Sequence, residues 1–91
     1  MEIRRAVWDA GNRRELARHG ITSDEVDEMV ALDEWVIDVH PAYPGQVRVI
    51  GRTRGGRWLT VAMEPTADPA AWRPITGWDA TPVEKAYYWD Q

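Results

Sequence analysis

One stretch of the chain, residues 46–64, constrains the fold more than any other. It contains two β-rich runs, 47–53 and 57–64, and the link between them is the tripeptide Arg-Gly-Gly at 54–56. A short link that contains glycine, placed between two such runs, predicts a β-hairpin.

The second run of this hairpin carries apolar side chains on both of its faces. Side chains alternate along a strand, which gives one face with Trp58, Thr60 and Ala62, and another with Leu59, Val61 and Met63. A strand with two apolar faces belongs inside a sheet that is covered on at least one side. The hairpin is therefore predicted to lie centrally, with Leu59 and Val61 in the core.

The hairpin is basic although the whole chain is acidic, with a net charge of −4. No acid occurs from position 46 to position 63, and this stretch contains four arginines: Arg48, Arg52, Arg54 and Arg57. Residues 23–38, in contrast, carry seven acids and no base. Arginine suits bidentate phosphate contacts, but it also commonly decorates a solvated hairpin tip. Both interpretations stay open at this point.

Helix start signals divide the first half of the chain. Residues 1–8 predict a strand, and Asp9 is placed to cap a helix over 10–19 that ends before Gly20. Thr22 and Glu25 form a capping box for a second, amphipathic helix.

The second half of the chain predicts further strands and one more helix. Residues 35–39 and 72–78 are β-rich, and Pro74 favours an edge position or a bulge in the latter. Loops are predicted over 40–45 and 65–71. Thr81 and Glu84 form another capping box, and Val83, Ala86, Tyr87 and Asp90 share one face of the helix that follows. The order is β-α-α-β-β-β-β-α, an α+β domain with a small antiparallel sheet and packed helices.

Length and composition bound the class of protein. The 91 residues predict one domain, 1–91, with a single small core. The chain has no cysteine, so no disulfide or thiolate metal site is expected. Charges at Glu2, Arg4 and Arg5 do not fit a signal peptide, and no apolar run approaches the roughly 20 residues that span a bilayer. We expect a cytoplasmic protein that does not contact a membrane.

Candidate residues for phosphate chemistry can be named from their types. A phosphoryl-transfer site that works without a metal needs cations around the phosphate and an acid or base within reach. Arg52, Arg57 and Arg73 are candidates for the phosphate, and His19 for the acid or base, since histidine changes charge near neutral pH. His19 also precedes Gly20, where its ring is expected to cap helix carbonyls. The histidine spacing matches no ligand motif, so neither a metal nor a cofactor is expected.

Six tryptophans are too many for one small core to bury fully. Some should be exposed, either as base-stacking platforms or as a protein interface. Trp58 and Trp78 are the RNA-binding candidates together with Arg48 and Arg54. Trp8 and one of Trp58 or Trp72 are expected in the core.

Three groups of residues, in order along positions 3–88, resemble the BrnT-type toxin family. The first group is Trp8-Asp9, Asn12, Arg18-His19-Gly20 and Ser23. The second group comprises 49–53 and 56–61, the central hairpin. The third group is 73–76, followed by Thr81, Glu84 and Tyr87 or Tyr88.

The resemblance implies a fold similar to the RelE and ParE toxins and a ribonuclease toxin of a type II toxin–antitoxin pair. Metal-free RNA cleavage needs a base near the 2′-hydroxyl, cations around the phosphate and an acid for the leaving oxygen. The resemblance therefore implies these roles for the arginine and histidine candidates named above. Its partner would be a small DNA-binding antitoxin that covers the active surface, with which it could form an oligomer. The chain departs from the family pattern at Gly77-Trp78, where members usually carry an arginine, and in its acidic charge. These departures support an alternative, a non-catalytic protein-interaction module of the same fold.

Overall fold

The computed structural model describes residues 2–39 and 44–91. The element order is the one predicted, and the fold is α+β. The elements are β1 (Arg5–Ala6), α1 (Ala10–Arg18), α2 (Ser23–Leu32), β2 (Val36–Val39), β3 (Val47–Arg52), β4 (Trp58–Pro65), β5 (Ala71–Asp79) and α3 (Pro82–Trp89). Of the loop predicted over 40–45, positions 40–43 lie outside the described residues.

The strands form one five-stranded sheet in the order β1-β5-β4-β3-β2, so that β4 is central, as the hairpin pattern predicted. Within the hairpin, the Thr53 amide donates to the Arg57 carbonyl (3.0 Å) and the Gly56 amide to the Thr53 carbonyl (3.0 Å). Gly56 has a φ of 86°, which closes a three-residue link through a left-handed glycine.

The first strand corrects the sequence prediction. It spans two residues instead of eight, and it pairs with β5 in parallel, so the sheet is not purely antiparallel. The ladder ends early because Pro74 has no amide hydrogen to donate. Beyond that point, the side chain of Asn12 in α1 links the two segments in place of the backbone ladder. Its amide donates to the Val7 carbonyl (2.9 Å) and to the Pro74 carbonyl (3.0 Å). A bulge between Ala62 and Met63 accompanies Pro74, as expected for a proline in a strand.

Capping explains where the three helices begin. Asp9 and Asn12 cap α1 reciprocally, and the predicted capping boxes at Thr22 and Thr81 are both present. The helix α1 ends at Arg18, one residue earlier than predicted. The amides of Gly20 and Ile21 then donate to the carbonyls of Ala17 (2.9 Å) and Leu16 (3.0 Å), a Schellman ending with Gly20 at φ 71°.

The sheet has two differently covered faces. The α1/α2 face, defined by Leu59, Val61 and Met63, is fully buried and forms the main core with α1 and α2. The α3 face, defined by Trp58, Thr60 and Ala62, lies toward α3, where Tyr88 contacts Trp58. The prediction that both faces of β4 are apolar and that the strand is central is confirmed.

The sequence did not specify how α3 packs. On this helix, Val83 is 79% exposed, whereas Glu84 is buried. The cause is the capping box, which turns Glu84 back toward Thr81 and the sheet (2.8 Å). Trp72 is in the core, as expected of one of Trp58 and Trp72. Trp8 was also expected in the core but is only partly buried against it. Smaller differences concern strand ends: β2 begins at Val36, and β5 covers Ala71–Asp79.

In the described part of the chain, no helix is long and apolar enough to cross a membrane.

Candidate functional site

Three aromatic rings gather beside the end of the hairpin. Trp58 of β4 meets Tyr88 and Trp89 of α3, with ring centroids 4.9 Å and 5.8 Å away, and Tyr88 and Trp89 are 5.1 Å apart. All three contacts are edge-to-face, the arrangement that aromatic quadrupoles favour. We call Trp58, Tyr88 and Trp89 the ring cluster.

The guanidinium of Arg52 lies over all three rings of this cluster. Its central carbon is 4.9 Å from the Trp58 centroid, 5.8 Å from Tyr88 and 5.4 Å from Trp89. These are cation–π distances. Among the described residues, no carboxylate forms an ion pair with Arg52. The pairing of Arg52 with Trp58 in the β3–β4 ladder explains the contact, since directly paired residues project from the same face.

Arg57 has a different environment on the α1/α2 side. Its Nε donates to Asp79 (2.9 Å), and its Nη1 donates to Glu25 (3.0 Å) and to the Gly20 carbonyl (2.8 Å). These hydrogen bonds to Asp79 and then Glu25 raise the pKa of Arg57 above its ordinary value. Arg57 therefore joins the hairpin to the turn between the first two helices, and two carboxylates neutralise its charge.

Two further arginines also lie between pairs of carboxylates. Arg73 contacts Asp9 (2.9 Å) and Glu64 (3.3 Å). Arg48 is 3.6 Å from Asp38 and 4.0 Å from the buried Glu84.

The fourth hairpin arginine and the second tryptophan candidate differ in exposure. The Arg54 side chain is exposed at the hairpin tip, and its backbone amide donates to Glu28 (3.3 Å). Trp78 is half-buried, and its indole N–H donates to Glu84 (3.0 Å). Burial acts to raise the pKa of Glu84, but hydrogen bonds from the Thr81 amide and Trp78 prevail and lower it.

His19 does not cap the helix carbonyls as expected, because the backbone amides of the Schellman ending already pair with them. Its Nε2 lies 3.2 Å from the Glu15 carboxylate. The same carboxylate accepts from the Thr76 hydroxyl (2.8 Å) and from Arg18 (2.6 Å). The Thr76 and Arg18 hydrogen bonds lower the pKa of Glu15, so that it is ionised near neutral pH. An ionised carboxylate beside an imidazole orients the ring and supports proton transfer.

The structure groups the predicted residues into separate clusters. Arg52 and Trp58 meet on the α3 face, Arg57 and His19 lie around Gly20 on the other side, and Arg73 lies beside the start of α1. Sequence reasoning missed the pairing of His19 with Glu15. Their spacing of four helical positions was the signal available.

The ring cluster was also missed as a unit, because only Trp58 among its three members was a binding candidate in the sequence. Lys85, Tyr88 and Trp89 recur at the spacing of one helical face, and Lys85 lies 6.0 Å from the Trp58 ring. Within 2–39 and 44–91, no group of three acidic or histidine side chains is placed to share a metal ion.

Comparisons with known proteins identify the fold. No protein-family model and no curated protein sequence matches the chain. The crystal structure of the Brucella abortus ribonuclease toxin BrnT superposes with a TM-score of 0.64 at 18% sequence identity, covering 85% of this chain and 96% of that chain. The fold is therefore BrnT-type, in agreement with the resemblance of the sequence.

Proposed function

We propose that the protein is a ribonuclease toxin of a type II toxin–antitoxin pair that cleaves RNA without a metal ion. The observation that carries the proposal is the likeness of its fold to a ribonuclease toxin over 85% of the chain. The ordered sequence resemblance along residues 3–88 supports it independently of the superposition.

Arg52 is the residue proposed to bind the phosphate. Its guanidinium is held by rings instead of carboxylates, so its charge is available to an anion. Arg48, Arg57 and Arg73 each lie against two carboxylates, so a phosphate must compete with an existing ion pair at these positions. Arg54 at the exposed tip is a further positive charge on the hairpin, close to Glu28 of α2, and half-buried Trp58 and Trp78 are the base-contacting candidates.

His19 is the proposed acid–base group, with Glu15 as the residue that positions it. In the reaction, a base takes the proton of the 2′-hydroxyl, the 2′-oxygen bonds to phosphorus, and the bond to the 5′-oxygen breaks as that oxygen receives a proton. Arg57 donates to the carbonyl of Gly20, the residue that follows His19 (2.8 Å). This hydrogen bond holds in place the turn that carries the His19 imidazole. Arg57 and Trp58 are adjacent in sequence, so an RNA strand lying across the hairpin end can reach both clusters.

The partner proposed from the fold is a small DNA-binding antitoxin that covers this surface in the cytoplasm. Expression of the toxin alone should then arrest growth, and co-expression of its antitoxin should restore it. The toxin and antitoxin are proposed to assemble together.

The function is tested by comparing Arg52→Ala with Arg14→Ala. Arg14 is exposed on α1 and supplies a control of equal charge. The wild type and Arg14→Ala should arrest growth and cleave RNA with a chelator present, and Arg52→Ala should do neither while melting normally. Cleavage that stops when the chelator is added would reject metal independence. Equal activity in both variants would reject the role of Arg52.

The acid–base role is tested separately with His19→Gln. If the ring transfers protons, cleavage falls by about 10²–10⁴-fold while the melting temperature barely changes. Glu15→Gln should reduce cleavage less and shift its pH profile, because it removes only the charge that orients the ring. Loss of melting temperature with cleavage retained would reassign His19 to a structural role.

A non-catalytic protein-interaction module of the same fold is the second candidate. It is favoured by the carboxylates that neutralise Arg48, Arg57 and Arg73. In that case no variant or condition yields cleavage above a vector control, and growth is unaffected by expression.

A further inference from the structure

The ring cluster is built as a platform that is open to solvent. Trp89 is 64% exposed, although it makes edge-to-face contacts with both Trp58 and Tyr88. The helix that carries it is anchored in its first turn by the buried Glu84 and in its last turn by the Tyr87 hydroxyl, which donates to the Ile37 carbonyl (2.8 Å). An exposed indole on an anchored helix loses little conformational freedom when it binds a planar group.

The charges around this platform identify its ligand. Arg52 lies over the rings without a carboxylate partner, and Lys85 is 6.0 Å from the Trp58 ring. Elsewhere in the described sheet, arginines pair with acids, as Arg57 and Arg73 do. Aromatic rings beside a cation that has no carboxylate partner, as Arg52 has none in the described part of the chain, bind a strand that presents planar bases and phosphates together. A base that is paired within a helix has both faces covered by its neighbours and cannot stack on an indole.

We propose that the ring cluster is a base-stacking subsite that restricts the protein to unpaired RNA. An unpaired base stacks on Trp89, and Arg52 contacts an adjacent phosphate. The inference rests on the proposed function, because it names the substrate class of that site.

Binding and cleavage are measured separately to test this. The binding probe is a short fluorescent RNA with 2′-O-methyl groups, which lacks the attacking hydroxyl, offered either single-stranded or annealed to its complement. The wild type should bind the single strand at least about tenfold more tightly than the duplex. Trp89→Ala should weaken single-strand binding about fivefold or more, the lower end of the loss expected for one base–aromatic stack. Trp89→Phe should retain most of the affinity.

Val83→Ala is the matched control, since Val83 is also exposed on α3 but is not part of the ring cluster. It should bind as the wild type does. Equal affinity for single strand and duplex, or a Trp89→Ala variant that binds normally, overturns the stacking subsite even if the wild type cleaves RNA. A wild type that shows the single-strand preference and its dependence on Trp89 but cuts no unmodified RNA overturns the ribonuclease proposal and leaves the subsite supported.

Discussion

The two sides of the hairpin end use the same residue type in opposite ways. On the α1/α2 side, Arg57 is bound by Asp79, Glu25 and the Gly20 carbonyl. On the α3 side, Arg52 lies over Trp58 and its two aromatic neighbours, with no carboxylate partner among the described residues. The role of an arginine in this hairpin thus depends on whether distant segments place carboxylates or aromatic rings against its guanidinium.

The comparison separates an arginine that holds the fold together from one that is available to bind. The α1/α2 side holds the core and the ion pairs of Arg57, so changes to those residues should alter stability, whereas His19 on the same side is proposed for catalysis. The α3 side of the hairpin end holds a cation over two half-buried rings and one exposed ring, so changes there should alter binding. Each prediction below tests one part of this division.

The largest effect is expected in the core of the α1/α2 face. Leu59→Ala should destabilise the protein by about 2–5 kcal/mol, because Leu59 is fully buried against α1 and α2 and its truncation leaves a cavity. Leu59→Met, which conserves volume, should cost less than about 1.5 kcal/mol. Chemical denaturation measures both variants. A melting temperature within a degree or two of wild type for Leu59→Ala would mean that β4 is not central to the core.

A smaller loss is expected where α1 approaches the sheet. A Cβ at Gly77 would lie 2.9 Å from Leu16 Cδ1 and 3.1 Å from the Thr60 carbonyl oxygen. Gly77→Ala should therefore cost about 1–3 kcal/mol through overpacking. Gly55→Ala is the control, since the atom nearest to the added Cβ would be the Thr53 hydroxyl oxygen at 3.8 Å, an ordinary contact. Equal melting temperatures for the two variants would contradict the close approach.

Local chemistry explains what the sequence predicted well. The hairpin link and the capping boxes at Thr22 and Thr81 each depend on residues within a few positions of one another. Gly20 is equally local, because the helix ending needs a left-handed residue there. Such features form wherever the segment is placed in the fold.

Contacts between distant segments explain what the sequence could not predict. The short β1 depends on Asn12 reaching Pro74, which is 62 positions away. Arg57 depends on Glu25 and Gly20, which are 32 and 37 positions away. The burial of Glu84 was missed for another reason. Glutamate is almost never fully buried unless it is paired, and the capping box already explained why a glutamate occurs at this position. The candidate site is assembled mainly from contacts of this distant kind.

Replacing Arg57 and Arg52 by alanine, each in a separate variant, tests the comparison directly. Arg57→Ala should lower the free energy of unfolding by about 1–2 kcal/mol, because it removes a partly buried network with three acceptors. Arg52→Ala should lower it by less than about 1 kcal/mol, the range of an exposed cation–π contact. The RNA affinities should show the reverse order, and the salt slope should fall by about one for Arg52→Ala. Equal stability losses would remove the distinction between the two sides.

The smallest effect is a difference in acid sensitivity. The Thr22 amide and the Arg57 guanidinium hold the pKa of Glu25 below its usual value, and the hydrogen bond from Arg57 does the same for Asp79. A carboxylate whose folded pKa is lowered stabilises the protein above its unfolded pKa, about 4, and that stability is lost as the pH falls through the folded value. The wild type should therefore melt at lower temperature at pH 3 than at pH 7. Arg57→Ala should show a shallower decline, because the two carboxylates lose the cation that lowers their pKa values. The difference in the free energy of unfolding should stay below about 1 kcal/mol, since these groups are partly screened by solvent.

The control is Arg52→Ala, whose melting temperature should decline as steeply as that of the wild type, because no carboxylate pairs with Arg52 in the described part of the chain. A parallel decline in all three proteins would show that Arg57 does not control these carboxylates.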